Sequence, residues 1–391
     1  MDFCGVICEF NPFHNGHDYL IKQAKKQSGK EIVCLMSGNF VQRGEPAIAN
    51  KFDRASWAIK SGANAVLELP TIYSCSNAEN FAMGAIKIFK ALGIKEIAFG
   101  VEHASLEILD KIAKLKAENS LEFRDSFKNE IQNGINFNTA LKRAIAKYFN
   151  DEDVNEILNS PNNVLAIEYL TAIKKQNAEI SALAIERCDK GFISDIPNEK
   201  YLGATAIREL VKTNQPFKKY LPEFAIFDKH FDKSHKFALE TMQILKVRTA
   251  DAKELEQFYD YSEGIEYRIK EISDKFSSLD EIIKNVASPR YREPRVKKLL
   301  LYPLLGITKE IQMLCTKTKP AVKVLAIDKK NKSFLSMFDK SKISLIVTNN
   351  DYENLDSNQK KIYDIDLLAS EIYRTIAGFE KNDKKMGTLF V

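Results

Sequence analysis

Five short apolar runs, spaced by helical stretches, constrain the fold of this chain more than any other feature. "FCGVICEF" near the start, "EIVCLMS" (31–37), "AVLELP" (65–70), "EIAFG" (96–100) and "EISALAIER" (179–187) read as buried strands. Between them, "HDYLIKQAKK", "NKFDRASWAIKSG" and "NAENFAMGAIKIFKALG" space their apolar residues as helices do. That alternation predicts an α/β fold with a doubly wound parallel sheet. From about 103 to 176 the pattern is helical without strands, as in an insertion or cap. Beyond "YLGATAIRELVK" it changes again: 215 to 315 is mostly helical, then "VKVLAID", "ISLIVTN" and a helix through "DIDLLASEIYRTIAGF" form a small α/β element. We therefore expect two units, 1–215 and 216–391, and a loose tail in "EKNDKKMGTLFV".

The turn after the first strand, "GVICEFNPFHNGHDYLIKQ", carries two of the five histidines, His14 and His17. In an open α/β sheet this turn lies at the carboxyl edge, where ligands bind, and the helix-start N–H groups favour phosphate. Gly16 lets backbone approach a nucleotide, and two imidazoles can donate hydrogen bonds to α-phosphate oxygens as charge accumulates in the transition state. Zinc histidines on one helix face sit four apart with a third ligand nearby, a pattern not seen here, so no metal site is expected.

At 391 residues the chain is long enough for two cores, and 45% hydrophobic with 28% charged residues is ordinary for a soluble protein. No stretch approaches a membrane span, and the start lacks a basic export region, so a cytoplasmic location is expected. Six cysteines (4, 8, 34, 75, 188 and 315) form no CxxC pair, which predicts neither disulfide nor structural zinc. The net charge of +5 is unevenly spread: residues 281–330 hold twelve Lys or Arg against four Asp or Glu. There, "SPRYREPRVKKLLLYPLLGI" clusters Arg290, Arg292, Arg295, Lys297 and Lys298. Such a run is either a solvated helix face or a contact surface for a phosphate backbone. In "GNFVQRGEPAIANKFDR", a long polar loop after the second strand, Gln42, Arg43 and Lys51 are candidates to line a site.

H-N-G-H after a first strand resembles the signature turn of adenylyl-transferring nucleotidyltransferases related to class I aminoacyl-tRNA synthetases. Members of that superfamily commonly open a late helix with S-S-T-x-I-R, whose hydroxyl, helix N-terminus and Arg hold the β- and γ-phosphates. Here "GATAIREL" supplies Thr205, Ile207 and Arg208, with Gly203 and Ala204 where the serines would stand. Longer motifs, in order, narrow the resemblance: "GVICEFNPFHNGH", "MSGNFVQRGEPAIANKFDRA", "GANAVLELP", "FAMGAIKIFKALG", "SPNNVLAIEYL" and "ATAIR" are similar to the bacterial tRNA(Met) cytidine acetate ligase family.

The resemblance spans essentially residues 1–215 and continues more loosely through "PRYREPRVKKLLLYPLLGI". It implies a nucleotidyltransferase-like ATP-binding catalytic domain at 1–215 and a tRNA-binding C-terminal region. It implies ATP and Mg²⁺, with acetate activated as acetyl-adenylate and passed to the wobble cytidine of elongator tRNA(Met) as N4-acetylcytidine; no obligate protein partner is implied. ATP contacts would come from Ile7, Cys8, Glu9, Phe10, Asn11, Pro12, Phe13, His14, Asn15, Gly16, His17, Asp18, Tyr19 and Leu20, then Gly100, Asn162, Arg187 and Thr205. His14, His17 and Arg208 are the expected catalytic residues, and Arg290, Arg292, Arg295 and Lys298 the expected tRNA contacts. The chain departs at Val101, where the family often has Ser, as well as before Thr205. Two other classes stay open: an adenylyltransferase making a dinucleotide cofactor, and a non-catalytic RNA-binding protein.

Overall fold

The computed structural model describes residues 2–102, 104–132, 137–149, 153–187, 200–227, 230–378 and 382–391. The first apolar runs form β1 (Phe3–Cys8) and β2 (Glu31–Ser37). A two-residue hairpin follows, β3 (Phe40–Val41) with β4 (Glu45–Pro46), then β5 (Ala65–Leu69), β6 (Glu96–Val101) and β7 (Ser181–Glu186). From the C-terminal part come β8 (Ala321–Ile327), β9 (Ser344–Ile346) and β10 (Leu389–Phe390). The main sheet runs β10-β8-β5-β2-β1-β6-β7, with β9 also beside β8. All neighbours are parallel except β8, which lies antiparallel to β5. Strand order reverses at β1, whose neighbours β2 and β6 lead the chain to opposite sides; their carboxyl ends form the crevice where such sheets bind ligands.

Two expectations change. The C-terminal α/β element extends the first sheet, because β8 pairs with the otherwise open edge of β5 (Ala65 opposite Ile327) and satisfies its backbone groups. The tail is also docked: Leu389 and Phe390 pair with Ala326 and Ile327, and Asp383 is buried.

Local sequence sets the helices that frame the crevice. Helix α1 (Asn15–Ser28) starts at His14, buries Ile21 and Ala24 against the sheet, and ends at Gly29 in the left-handed conformation (φ 66°). Helix α2 (Lys51–Lys60) is capped by Asn50, whose Oδ1 accepts from the Phe52 and Asp53 N–H groups at 2.9 Å. One face of the sheet is covered by the helices Ala78–Ala91, Leu106–Glu118 and Pro161–Lys175, and the other by α1, α2 and the helix Ala204–Lys212. The C-terminal helices gather a further core around Tyr261, Leu299 and Leu301, into which Phe40, Ile72 and Cys75 of the first half insert. Five cysteines (4, 8, 34, 75 and 315) are buried free thiols; Cys188 lies outside the described residues.

A buried ionic cluster ties the two halves together. Lys51 Nζ donates to both oxygens of Glu68 at 2.7 Å, to Ser370 Oγ at 2.9 Å and to Asp383, while Lys323 Nζ donates to the Asp383 carbonyl at 2.6 Å. Burial works against the Lys51 charge, but Asp383 and Glu68 overcome it and hold the ammonium protonated. Lys51 is thus a structural residue, not the site-lining one expected.

Candidate active site

A cleft opens at the carboxyl ends of β1, β6 and β7. Its first wall is the turn after β1, contributing Ile7, Cys8, Glu9, Phe10, Asn11, His14, Gly16, His17, Tyr19 and Leu20. Facing it are Phe99 and Gly100, then Ile185, Glu186 and Arg187. Asn162, Leu165 and Tyr169 come from one face of the helix Pro161–Lys175; Ala204 and Arg208 come from a helix start, with Phe81 and Gln42 completing the lining.

The histidines are locked by their own helix. His14 Nδ1 accepts from the Gly16 N–H at 3.0 Å, and His17 Nδ1 accepts from the His14 N–H at 3.3 Å, a reciprocal cap. A neutral imidazole that accepts at Nδ1 carries its proton on Nε2. The rings stack with centroids 3.7 Å apart. Burial, then His14 and Arg187, push the His17 pKa well below its usual value, against a smaller opposing contribution from the Pro12 carbonyl; His17 is a neutral donor at physiological pH. Gly16 has a second reason to be glycine, since a Cβ there would lie 2.8 Å from His14 Cε1. Behind the rings, Phe10 and Phe13 are fully buried and meet edge to face at 4.8 Å, each contributing about 2–3 kcal/mol by burial. Phe10 adopts φ 50°, a conformation uncommon for a bulky side chain, as the strand gives way to the turn.

Around this pair stand fixed cations and amides. Arg208 Nη1 donates to the Asn11 carbonyl at 2.7 Å and Nη2 to Thr205 Oγ1 at 3.1 Å, which aligns the guanidinium along the cleft wall. Burial, then repulsion from Arg43, lower its pKa, so an anion entering here relieves an electrostatic cost. The helix carrying Arg208 has Gly203 at its N-cap with no side-chain cap bond, so the missing serines leave the first-turn N–H groups without a side-chain acceptor from the cap. Gly100 makes room for Arg187, whose Cγ would be 3.3 Å from an added Cβ. Glu102 organises this side: its carboxylate accepts from Asn162 Nδ2 and lies 4.0 Å from Arg187 Nε. The neighbouring Asn163 side chain closes on the Glu102 backbone, accepting its N–H at 2.9 Å and donating to its carbonyl at 2.7 Å.

Five of the expected ATP contacts do not line the cleft, and neither does the candidate Arg43. Pro12 and Phe13 lie beneath the turn, and Asn15 Nδ2 donates to the Lys200 and Lys219 carbonyls. Asp18 accepts from Ser61 Oγ at 2.8 Å and pairs with Lys22, fastening α1; Thr205 supports Arg208. Conversely, Phe81, Leu165, Tyr169 and Glu186 were not foreseen. For Leu165 and Tyr169 the signal is present, three and seven residues after Asn162 on the same helical face. The loop after β2 is largely buried rather than polar, because fully buried Arg54 donates to the carbonyls of Ala49 (2.9 Å), Glu9 (2.6 Å), Ser37 (3.1 Å) and Gly38.

The basic run caps and begins the helix Glu293–Leu305. Much of its charge is already engaged. Arg295 makes a bidentate pair with Asp260 (2.6 and 2.7 Å) and lies 4.4 Å over the Tyr291 ring; Arg290 pairs with Glu263, and Lys297 with Glu45 at 3.1 Å. Lys298 Nζ donates to the Ser76 carbonyl at 2.8 Å while its stem packs on Gly44, and burial lowers its pKa. Arg292 reaches Thr139 Oγ1 at 3.3 Å, next to the helical insertion. Arg290 and Arg292 are the exposed members of the expected RNA contacts; Arg295 and Lys298 hold the helix in place.

Comparison with known proteins places the whole chain in a family. The model of the HIGH Nucleotidyl Transferase family matches residues 1–387. A tRNA(Met) cytidine acetate ligase of Thermoanaerobacter sp. is 36% identical, covering 100% of this chain and 98% of the relative; one of Thermosipho africanus is 34% identical, covering 95% and 94%. The crystal structure of apo TmcAL of Thermotoga maritima superposes with a TM-score of 0.89 at 26% identity, and its form bound with alpha-thio ATP with 0.87 at 25%, each over 100% of both chains. By full-length similarity in sequence and in fold, the chain belongs to the HIGH nucleotidyl transferases and, among them, to the tRNA(Met) cytidine acetate ligase family.

Proposed function

We propose that this protein is an ATP-dependent ligase that activates acetate as acetyl-adenylate and transfers the acetyl group to the N4 amine of the wobble cytidine of elongator tRNA(Met), in the cytoplasm. The observation that carries the reading is the stacked pair of imidazoles, His14 and His17, locked by backbone N–H groups at the switch point of the sheet, with Arg187 and Arg208 on the adjoining walls. In the first step an acetate oxygen attacks the α-phosphorus and pyrophosphate leaves. The imidazole donors are aimed at charge that develops there, and Arg208 with the uncapped helix start neutralises the departing phosphates. In the second step the cytidine amine attacks the acetyl carbonyl and AMP leaves. That amine is a weak nucleophile, since its lone pair is delocalised into the ring, which is why the acetyl group needs activation. The apolar wall of Phe81, Phe99, Leu165 and Tyr169 suits an adenine or a methyl group.

Mg²⁺ would travel with ATP, held by phosphate oxygens and water and contributing charge neutralisation. Among the described residues no group of three His, Cys, Asp or Glu side chains converges, so this chain's own share would be small. Arg290 and Arg292 are the proposed contacts to the tRNA backbone. The test is pyrophosphate exchange into ATP without RNA. Exchange should require acetate, and His17→Ala should slow it about 10²–10³-fold. Exchange that ignores acetate but needs a phosphorylated cofactor precursor would replace this reading with the dinucleotide one.

A further inference from the structure

A carboxylate stands in a cleft built for anions, and neither step above employs it. Glu9 follows β1 directly, and its side chain lines the cleft. Its main-chain carbonyl is fixed by Arg54 Nη1 at 2.6 Å, and its Oε1 accepts the Gln42 N–H at 2.7 Å. Its Oε2 accepts no hydrogen bond among the described residues. A negative charge here makes both ATP and acetate harder to bind, so those steps do not explain it.

Position does. Gln42 belongs to the loop after β2, on the opposite side of β1 from Gly100, Glu186 and Arg187. The same loop meets the basic helix, through Glu45 with Lys297 at 3.1 Å and Gly44 under Lys298. Glu9 therefore occupies the cleft wall nearest the proposed RNA surface. The other carboxylate in the lining, Glu186, is exposed and ends the edge strand β7 on the far side.

We propose that Glu9 is the general base of acetyl transfer, its Oε2 taking the proton that the cytidine N4 amine must shed. This rests on the proposed function. The step balances: the N4 lone pair forms the C–N bond, the C–O bond to AMP breaks with its electrons leaving on the phosphate, and one amine proton passes to the Glu9 carboxylate. Burial raises the Glu9 pKa, while the Gln42 N–H and then Arg208, Arg54 and Arg43 restrain the rise; a carboxylate moved toward neutral pH is a better proton acceptor.

The test uses the full-length protein and Glu9→Gln, whose amide oxygen can still accept from the Gln42 N–H. Adenylate formation is read by trapping with hydroxylamine as acetohydroxamate, with acetate and ATP but no RNA. Transfer is read in a single turnover with tRNA. Transfer should fall about 10²–10⁴-fold, in rate constant rather than in KM for tRNA, and trapping less than about tenfold. Glu9→Asp, which keeps a base but draws it back, should recover at least about tenfold of the transfer rate. Equal loss of trapping and transfer, or transfer at the wild-type rate, overturns the assignment. If Glu9→Gln does not fold, Glu9→Asp carries the same comparison against wild type: selective loss of transfer supports the base, parallel loss refutes it. Failure of the wild-type protein to form hydroxamate from acetate would instead defeat the proposed function itself.

Discussion

Gly16→Ala should separate catalysis from stability. The added Cβ would sit 2.8 Å from His14 Cε1, closer than carbon tolerates, and 3.0 Å from its Nδ1, a tight contact, and the Gly16 N–H is the group His14 caps. The ring must swing away, which breaks the reciprocal cap and the 3.7 Å stack on His17. Loss of the cap costs about 1 kcal/mol. Replacing glycine by alanine inside a helix returns about 1 kcal/mol. The two nearly cancel, so the melting temperature should move by only a few degrees at most. Activity has no such compensation. A displaced donor at a developing oxyanion costs about 2.7–4 kcal/mol, or 10²–10³ in rate. Acetate-dependent pyrophosphate exchange and a thermal melt on the same preparation check both halves. Exchange within threefold of wild type would refute the view that His14 must hold its capped position, and a melt lowered by 10 °C would refute the cancellation.

Other expectations concern the buried charges and the basic helix. Asp366 accepts the Thr71 N–H at 2.6 Å, and burial, then the Glu68 charge, raise its pKa from 3.8 to about 7. The folded state thus holds a proton there that the unfolded chain releases near pH 4, and wild-type stability should fall as pH rises from about 4 to 7. Asp366→Asn should flatten that slope, gaining on the order of 1–4 kcal/mol relative to wild type above pH 7; denaturant titrations at pH 5 and pH 8 with identical differences would exclude it. Replacing Arg290 and Arg292 with Met should weaken tRNA binding and reduce its salt slope by about one per cation, whereas Arg295→Met should cost about 1 kcal/mol of stability with the slope retained. Affinity measured across a salt series distinguishes the two.

The parts legible in the sequence are those set by local pattern. Short, continuously apolar strand runs and helices spaced at 3.6 residues announce the sheet, and a strand-to-helix turn with His14, Gly16 and His17 announces its ligand edge. What stayed hidden depends on partners far along the chain. Lys51 looks like any polar loop residue until Glu68 and Asp383 surround it, and Glu102 carries no motif although it orients Asn162. The basic run misled in the opposite direction: counting charges does not reveal that Asp260, Glu263 and Glu45 stand across from it. The tail appears loose because two strand residues are too few to leave a periodic signature; β8 supplies their hydrogen bonds.

The stitching of the two halves has a temporal side. Lys51 and Asp383 are 332 residues apart, and the loop bearing Gln42 is propped by the Tyr373 hydroxyl on the Ala47 carbonyl at 2.9 Å. A ribosome adding about 5–20 residues per second takes roughly 15 to 70 s to cover that interval. Until β8 emerges, β5 presents an unpaired edge, and until Asp383 follows, Glu68 faces Lys51 without the third charge. The cleft, whose signature turn is spelled out in the first twenty residues of the sequence, gains the prop on its Gln42 loop only once the C-terminal helix docks. A nascent chain with a finished H-N-G-H turn still has an open strand, and that strand is the surface a chaperone would meet first.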